Sequence, residues 1–187
     1  MTTEILSLPV EAMTPASFAP YGVVLAPTEQ PADRRVMADS PFTCDGRTTL
    51  STIWQPSGAR SFTRLERHFG VTQAFFQLSG APSVVCVAAP TAMDDVHAVP
   101  DPQSVRAFLI DPTQGFSYHI GTWHSLDRFV IGAPGATFII LNVAPNPTQI
   151  VDYASGRSVH HPDLDGLPPE RETQLHGSFG IEFQLSL

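Results

Sequence analysis

The sequence contains no lysine; all ten of its basic residues are arginine. Schiff-base catalysis, a pyridoxal-phosphate anchor and a Walker-type phosphate loop each need a lysine amine, so all three are excluded. Positive charge is scarce as well. Ten arginines face 18 acidic residues, for a net charge of −8, and no field is left to attract a polyanion. Nucleic acid is therefore not an expected partner. Cysteine is confined to Cys44 and Cys86, without C-x-x-C spacing, which argues against a disulfide framework and for a cytoplasmic protein. No apolar run approaches the roughly 18 residues of a membrane span. The opening stretch carries Glu4 and Glu11 but no basic residue ahead of an apolar run, so neither a membrane partner nor a secretion signal is expected.

What the chain does have is apolar content and proline. Hydrophobic residues make up 42 % of 187 residues, enough for one domain with a sizeable core and too short a chain for two. We expect a single domain over residues 1–187 with a proline-rich C-terminal extension from about residue 144. The 18 prolines are about twice the usual share. Proline starves long helices and punctuates short strands, so an all-β body is expected. Candidate strands cover residues 5–8, 21–25, 48–55, 61–67, 72–78, 83–88, 105–110, 116–119, 124–131, 137–143 and 179–185. The last alternates cleanly, with Phe179, Ile181, Phe183 and Leu185 on one face and Glu182 and Gln184 on the other. Thr14-Pro15 and Asp101-Pro102 each read as the cap of one short helical turn. Residues 26–46 and 144–177 read as loops. About ten or eleven short strands in one domain point to a barrel or a two-sheet sandwich.

One region has a spacing with chemical meaning. Glu66-Arg67-His68 is followed after four residues by Gln73 and after six more by Gly80. Side chains alternate along a strand, so Glu66 and His68 share a face while Arg67 points away. Gly70 lies in a turn that returns Gln73 beside them. The second region runs from His119 through Gly121 and Trp123 to His124, with Gly115 and Gly121 bracketing a turn that presents His124 at a strand start.

These stretches resemble the two motifs of the cupin superfamily, G-x5-H-x-H-x3-4-E-x6-G and G-x5-P-x-G-x2-H-x3-N. Glu66 and His68 fall at the two histidine positions of the first, Gln73 at its glutamate and Gly80 at its last glycine. Gly121 and His124 fall at the G-x2-H of the second, with His119 at its proline and Arg128 at its asparagine. The run LERHFGVTQAFFQLSG, then VRAFLIDPTQGFSYHIGTWH, and the entry segment SFAPYGVVL look like the ureidoglycolate lyase family, with its LERHPLGTQAF and YH-x-x-x-WH patterns. This chain departs from that family at Phe69, at Ser125-Leu126 and at Asn142-Val143, where members carry Pro, His-Pro or Ala-Pro, and an Asp-Arg pair, and in its longer C-terminal stretch.

The resemblance implies an all-β cupin-type double-stranded β-helix, a jelly-roll barrel with one or two short helical turns. It also implies cleavage of ureidoglycolate to glyoxylate and urea in allantoin and purine breakdown. That reaction needs a base for the hydroxyl proton, an acid for departing urea, and a hold on the carboxylate. His68 and His124 are the candidate metal ligands or acid and base. Gln73 would offer an amide or a neutral ligand, Glu66 a third ligand or an orienting carboxylate, and His119 a further acid/base group. Arg64 shares the parity of Glu66 and is a candidate carboxylate clamp; Arg67 and Gln73 complete the candidate substrate contacts. Glu66, His68, Gln73 and His124 form the candidate metal set. Family resemblance implies nickel, with zinc or manganese left open. The expected partners are a small carboxylate substrate and a second copy in a homodimer. Two other readings stand beside the lyase: a cupin enzyme acting on another small hydroxy or keto carboxylate, and a carboxylate-binding module without turnover. Trp123, Phe75 and Phe76 read as core, and His160, His161 and His176 as tail residues without a chemical role.

Overall fold

The computed structural model describes residues 3–187 apart from 28, 165 and 178; residues 28 and 165, inside the two expected loops, lie outside the described residues. In chain order the elements are β1 (Glu4–Ala12), α1 (Pro15–Phe18), β2 (Gly22–Leu25), β3 (Arg47–Pro56), β4 (Ser61–Phe62), β5 (Arg64–His68), β6 (Ala74–Gly80), β7 (Ser83–Ala88), a 3-10 turn (Pro102–Ser104), β8 (Arg106–Ile110), β9 (Gly115–Tyr118), β10 (Trp123–Ser125), β11 (Phe129–Val130), β12 (Gly135–Ala144), β13 (Thr148–Asp152), β14 (Arg157–His161), β15 (Arg171–Gln174) and β16 (Ile181–Ser186). Every expected strand is present, with two of them split in two. Both expected caps form as well: the Thr14 side chain accepts from the Ser17 N–H at the start of α1, and that of Asp101 from the Gln103 N–H at the 3-10 turn.

The strands make two sheets. The larger runs β15-β14-β13-β5-β10-β7-β8-β1-β16-β4, with β11 also on β7, and the smaller runs β2-β9-β6-β12-β3. Only Thr63 separates β4, at one end of the large sheet, from β5 in its middle, so that sheet curls back on itself. Its concave side holds Leu65, Cys86, Trp123, Tyr153, Ile181, Phe183 and Leu185. Strand parity dictates this division. Leu65 and Arg67 face the curl, while Glu66 and His68 face the small sheet.

Between the sheets lies an aromatic core. Phe75, Phe116, Tyr118 and Phe138 from the small sheet meet Val85, Val87, Phe108 and Ile110 from the large one, and Phe18 of α1 plugs the end. Phe75 stacks on Phe116, and Phe18 meets Phe108 and Phe116 edge-on. Each such buried ring contributes about 1.5–3 kcal/mol by burial. This is the cupin-type β-sandwich that the motifs imply.

The expected loop over 144–177 is overturned in part. β13, β14 and β15 extend the large sheet beyond β5. The prolines of this stretch sit between the strands rather than in them, Pro147 just before β13 and Pro162, Pro168 and Pro169 between β14 and β15. Counting prolines over the whole stretch hid the short β-branched runs that pair. Among the described residues no helix is long and apolar enough to cross a membrane.

Candidate active site

β5, β10 and β13 run side by side, and their register builds the site. His124 of β10 pairs across from Glu66 of β5, and Thr148 of β13 pairs across from His68. Gly121 adopts φ +77 in the turn ahead of β10, and a side chain there would strike the Met93 sulfur. Glycine is what lets the chain turn tightly enough to start β10 at Trp123. The rings of His68 and His124 lie 5.1 Å apart by centroid, and Glu66 Oε1 is 3.6 Å from His124 Nδ1. Glu66, His68 and His124 are 7, 3 and 1 % exposed.

Hydrogen bonds fix which ring nitrogens are free. His124 Nδ1 lies 3.1 Å from the Ser125 carbonyl, which can only accept, so Nδ1 carries the proton. His68 Nδ1 lies 2.8 Å from Thr148 Oγ1, and that hydroxyl donates its single proton to the Asn146 carbonyl at 3.0 Å. Thr148 therefore accepts from His68, and His68 Nδ1 carries the proton too. Both Nε2 atoms are left as lone pairs, buried and without partners. This is the arrangement of metal-binding imidazoles, with the far nitrogen held by a neighbour.

Burial above all, and then the positive charge of Arg128, lower the His68 pKa to about 4, while the Gln73 amide pulls the other way. His124 is also driven well below the ordinary histidine value, by burial first and by His68 and Arg128 after it, against the Ser125 carbonyl bond. Both rings are neutral at neutral pH, the form that ligates or accepts a proton.

One ligand atom from each of Glu66, His68 and His124 lies within 4.8 Å of the others. An ion bonded to two donors at ~2.1 Å holds them at most ~4.2 Å apart, so the three fit an ion after drawing in by roughly half an ångström. Glu66 and His68 open on a cavity of about 310 Å³ lined also by Thr49, Ser51, Gln73, Arg128, Asn142 and Asn146, near the small end of ligand-site volumes, and His124 packs beside them. Gln73 Oε1 is buried there without a partner, so it suits a fourth, neutral donor.

The other expected site residues are placed elsewhere. Arg67 is fully buried on the opposite face of β5, bound to Gln149 Oε1, to Thr91 and to the Ala92 and Asp95 carbonyls, with its guanidinium 4.6 Å over Trp123. Strand alternation turns it away from the histidines, which corrects its reading as a substrate contact. Arg64, at the exposed start of β5, lines a separate surface hollow with Asp152 and Arg157. His119 is exposed and bonds the Ala19 carbonyl through Nε2 at 3.0 Å, outside the cavity. Among the groups that do line the cavity, Arg128, Asn142 and Asn146 were given no site role by the sequence. The signal for the first two was present, since both stand where the motifs expect another residue.

A family model described as ureidoglycolate lyase matches residues 5–159. The chain belongs to the ureidoglycolate lyase family. The match runs from β1 into β14 and so takes in all of the cavity's strands. Among curated ureidoglycolate lyases, that of Rhodobacter capsulatus is 32 % identical over 152 residues, covering 74 % of this chain and 88 % of the relative. That of Pseudomonas paraeruginosa is 31 % identical over 141 residues, 63 % of this chain and 73 % of the relative. The Pseudomonas syringae pv. syringae enzyme is 29 % identical over 138 residues, 62 % and 71 % of the two chains.

Proposed function

We propose that this chain cleaves ureidoglycolate to glyoxylate and urea, a late step in nitrogen recovery from purines through allantoin. The observation that carries the reading is the pair of buried, neutral imidazoles with free Nε2 lone pairs beside Glu66, in a chain of this family. As the C–N bond breaks, the hydroxyl on the same carbon becomes a carbonyl, and one proton passes in net from that oxygen to the departing nitrogen. Glu66, His68 and His124 would hold a divalent ion, with Gln73 as a neutral donor. Imidazole and carboxylate suit nickel, zinc or manganese, and nickel is the ion the family resemblance implies. Such an ion supplies Lewis-acid polarisation of substrate oxygens. An imidazole not engaged by an ion can take up a proton at Nε2.

The amides of the cavity favour a ureido substrate over a plain hydroxy or keto acid. Oδ1 of Asn142, Oδ1 of Asn146 and Oε1 of Gln73 are buried acceptors without partners, and Nδ2 of Asn146 is an unpartnered donor. A ureido group offers several N–H donors and one carbonyl, the complement of that set. Loaded with nickel, manganese or zinc, the protein is expected to release urea and glyoxylate from racemic ureidoglycolate, and folded His124→Ala is expected to release neither. No release with any of the three ions overturns the reading. A carboxylate that raises the melting temperature without turnover would point to a binding module instead.

A homodimer belongs to this proposal. β3 ends the small sheet, and its residues share an uncharged outer face with β12: Leu50 pairs with Leu141, Thr52 with Ile139 and Trp54 with Thr137. Leu50 and Trp54 are exposed. Two copies, each at net charge −8, repel less across a face without charges, and the join would cover an open edge. Light scattering at micromolar concentration should give the mass of two chains; the mass of one removes the dimer. The two free thiols suit the cytoplasm proposed for the protein.

A further inference from the structure

We propose that Arg128 is the carboxylate anchor of this cavity, the residue that decides which end of a small hydroxy or keto carboxylate faces Glu66, His68 and His124. The assignment rests on the lyase reading for the identity of the substrate, but not for the chemistry of the anchor.

Among the described residues lining the cavity, Arg128 is the one cation. It is 5 % exposed, and its guanidinium carbon sits 4.6 Å over the Phe75 ring and 6.0 Å from that of Phe138. Both rings belong to the core between the sheets, so the side chain points inward. Its Nε is buried without a hydrogen-bond partner. An aromatic face attracts the charge but offers no lone pair to the edge of the guanidinium. A buried donor left unsatisfied costs about 1–3 kcal/mol, and a carboxylate satisfies two donors of that edge at once. Glu66 and His68 line the same cavity as Arg128.

Its position is set from outside the cavity. The Gln55 amide of β3 donates to Asp127 Oδ1 at 2.7 Å and accepts from the Arg128 backbone N–H at 3.1 Å. The segment after β10 is thereby fastened to the edge of the small sheet, and the guanidinium is held over the Phe75 ring. Of the arginines that sequence reasoning favoured, Arg67 is bound on the opposite face of β5 and Arg64 lies at a separate surface hollow.

The test uses the nickel-loaded full chain and calorimetry with oxamate, a carboxylate that cannot be cleaved, and with neutral urea. Arg128→Gln and Arg128→Met are expected to weaken oxamate at least tenfold and to leave urea binding unchanged. A folded variant of either kind that binds oxamate as the parent does overturns the proposal. Should neither variant fold, the parent alone decides: in metal-free protein oxamate is expected to bind at least tenfold more tightly than its neutral amide, oxamide, and equal binding overturns the anchor. The two readings separate cleanly. If the parent cleaves ureidoglycolate with a KM that Arg128→Gln leaves unchanged, the anchor fails and the lyase stands. If oxamate binding depends on Arg128 but no urea is released, the lyase fails and the anchor stands.

Discussion

Tyr118 and His124 stack face to face, their ring centroids 4.4 Å apart and their planes within 5°. The stack holds the His124 ring against the aromatic core of Phe75 and Phe116, while the Ser125 carbonyl fixes its tautomer. Orientation here comes from the ring rather than the phenol, since Tyr118 Oη is buried without a partner. Tyr118→Phe is therefore expected to keep metal affinity within about threefold, and Tyr118→Ala to lose on the order of tenfold or more. Titration with a metal indicator on folded protein distinguishes the two; equal losses would assign the effect to the hydroxyl.

His68 depends on a different support. Thr148 accepts from His68 Nδ1 and donates to the Asn146 carbonyl, a relay through one hydroxyl. Thr148→Val keeps the shape and removes the acceptor. The ring is then free to change tautomer, and metal affinity is expected to fall about 10–100-fold. Thr148→Ser should restore most of it. Affinity unchanged in Thr148→Val would show that burial alone sets the ring.

Much of this cavity was legible in the sequence because cupin motifs are strand arithmetic. Alternation puts Glu66 and His68 on one face, and a glycine turn starts the strand of His124; neither needs tertiary knowledge. Asn146 was not legible, because it reaches the cavity only once β13 has joined β5, a pairing hidden inside a stretch that looked like a proline-rich loop. Arg128 was read as a lost asparagine, since only packing shows a cation lying over Phe75. Arg67 failed for the opposite reason: its parity already pointed it away from His68, and the curled sheet gives that face its own core.

That core makes Arg67 a stability residue. It ties β5 to Gln149 of β13 and to the carbonyls of Ala92 and Asp95, and it lies over Trp123. Burial lowers its pKa to about 10, with Asp95 opposing, so it stays charged near neutrality. Arg67→Met leaves several buried acceptors unpaired and is expected to cost about 3–5 kcal/mol. Denaturant midpoints measure the cost, and the folded fraction should show an unchanged KM. A raised KM at parental stability would return Arg67 to the substrate.

The two histidines give the metal-free protein a pH-dependent stability of definite sign. Their pKa values are lowered on folding, His68 to about 4 and His124 well below the ordinary value. Above the unfolded value of 6.5, neither state binds the proton and stability does not change through these groups. Below it the unfolded chain takes up protons that the folded one refuses, so stability falls as pH drops from about 6.5 toward 4, by up to ~1.4 kcal/mol per pH unit for each ring. Urea denaturation of the metal-free protein at pH 7.5, 6 and 5 should show that decline. His68→Gln should remove part of the slope even though it lowers the stability at pH 7.5. A slope that His68→Gln leaves whole would mean that His68 titrates alike in both states, contrary to its burial beside Arg128.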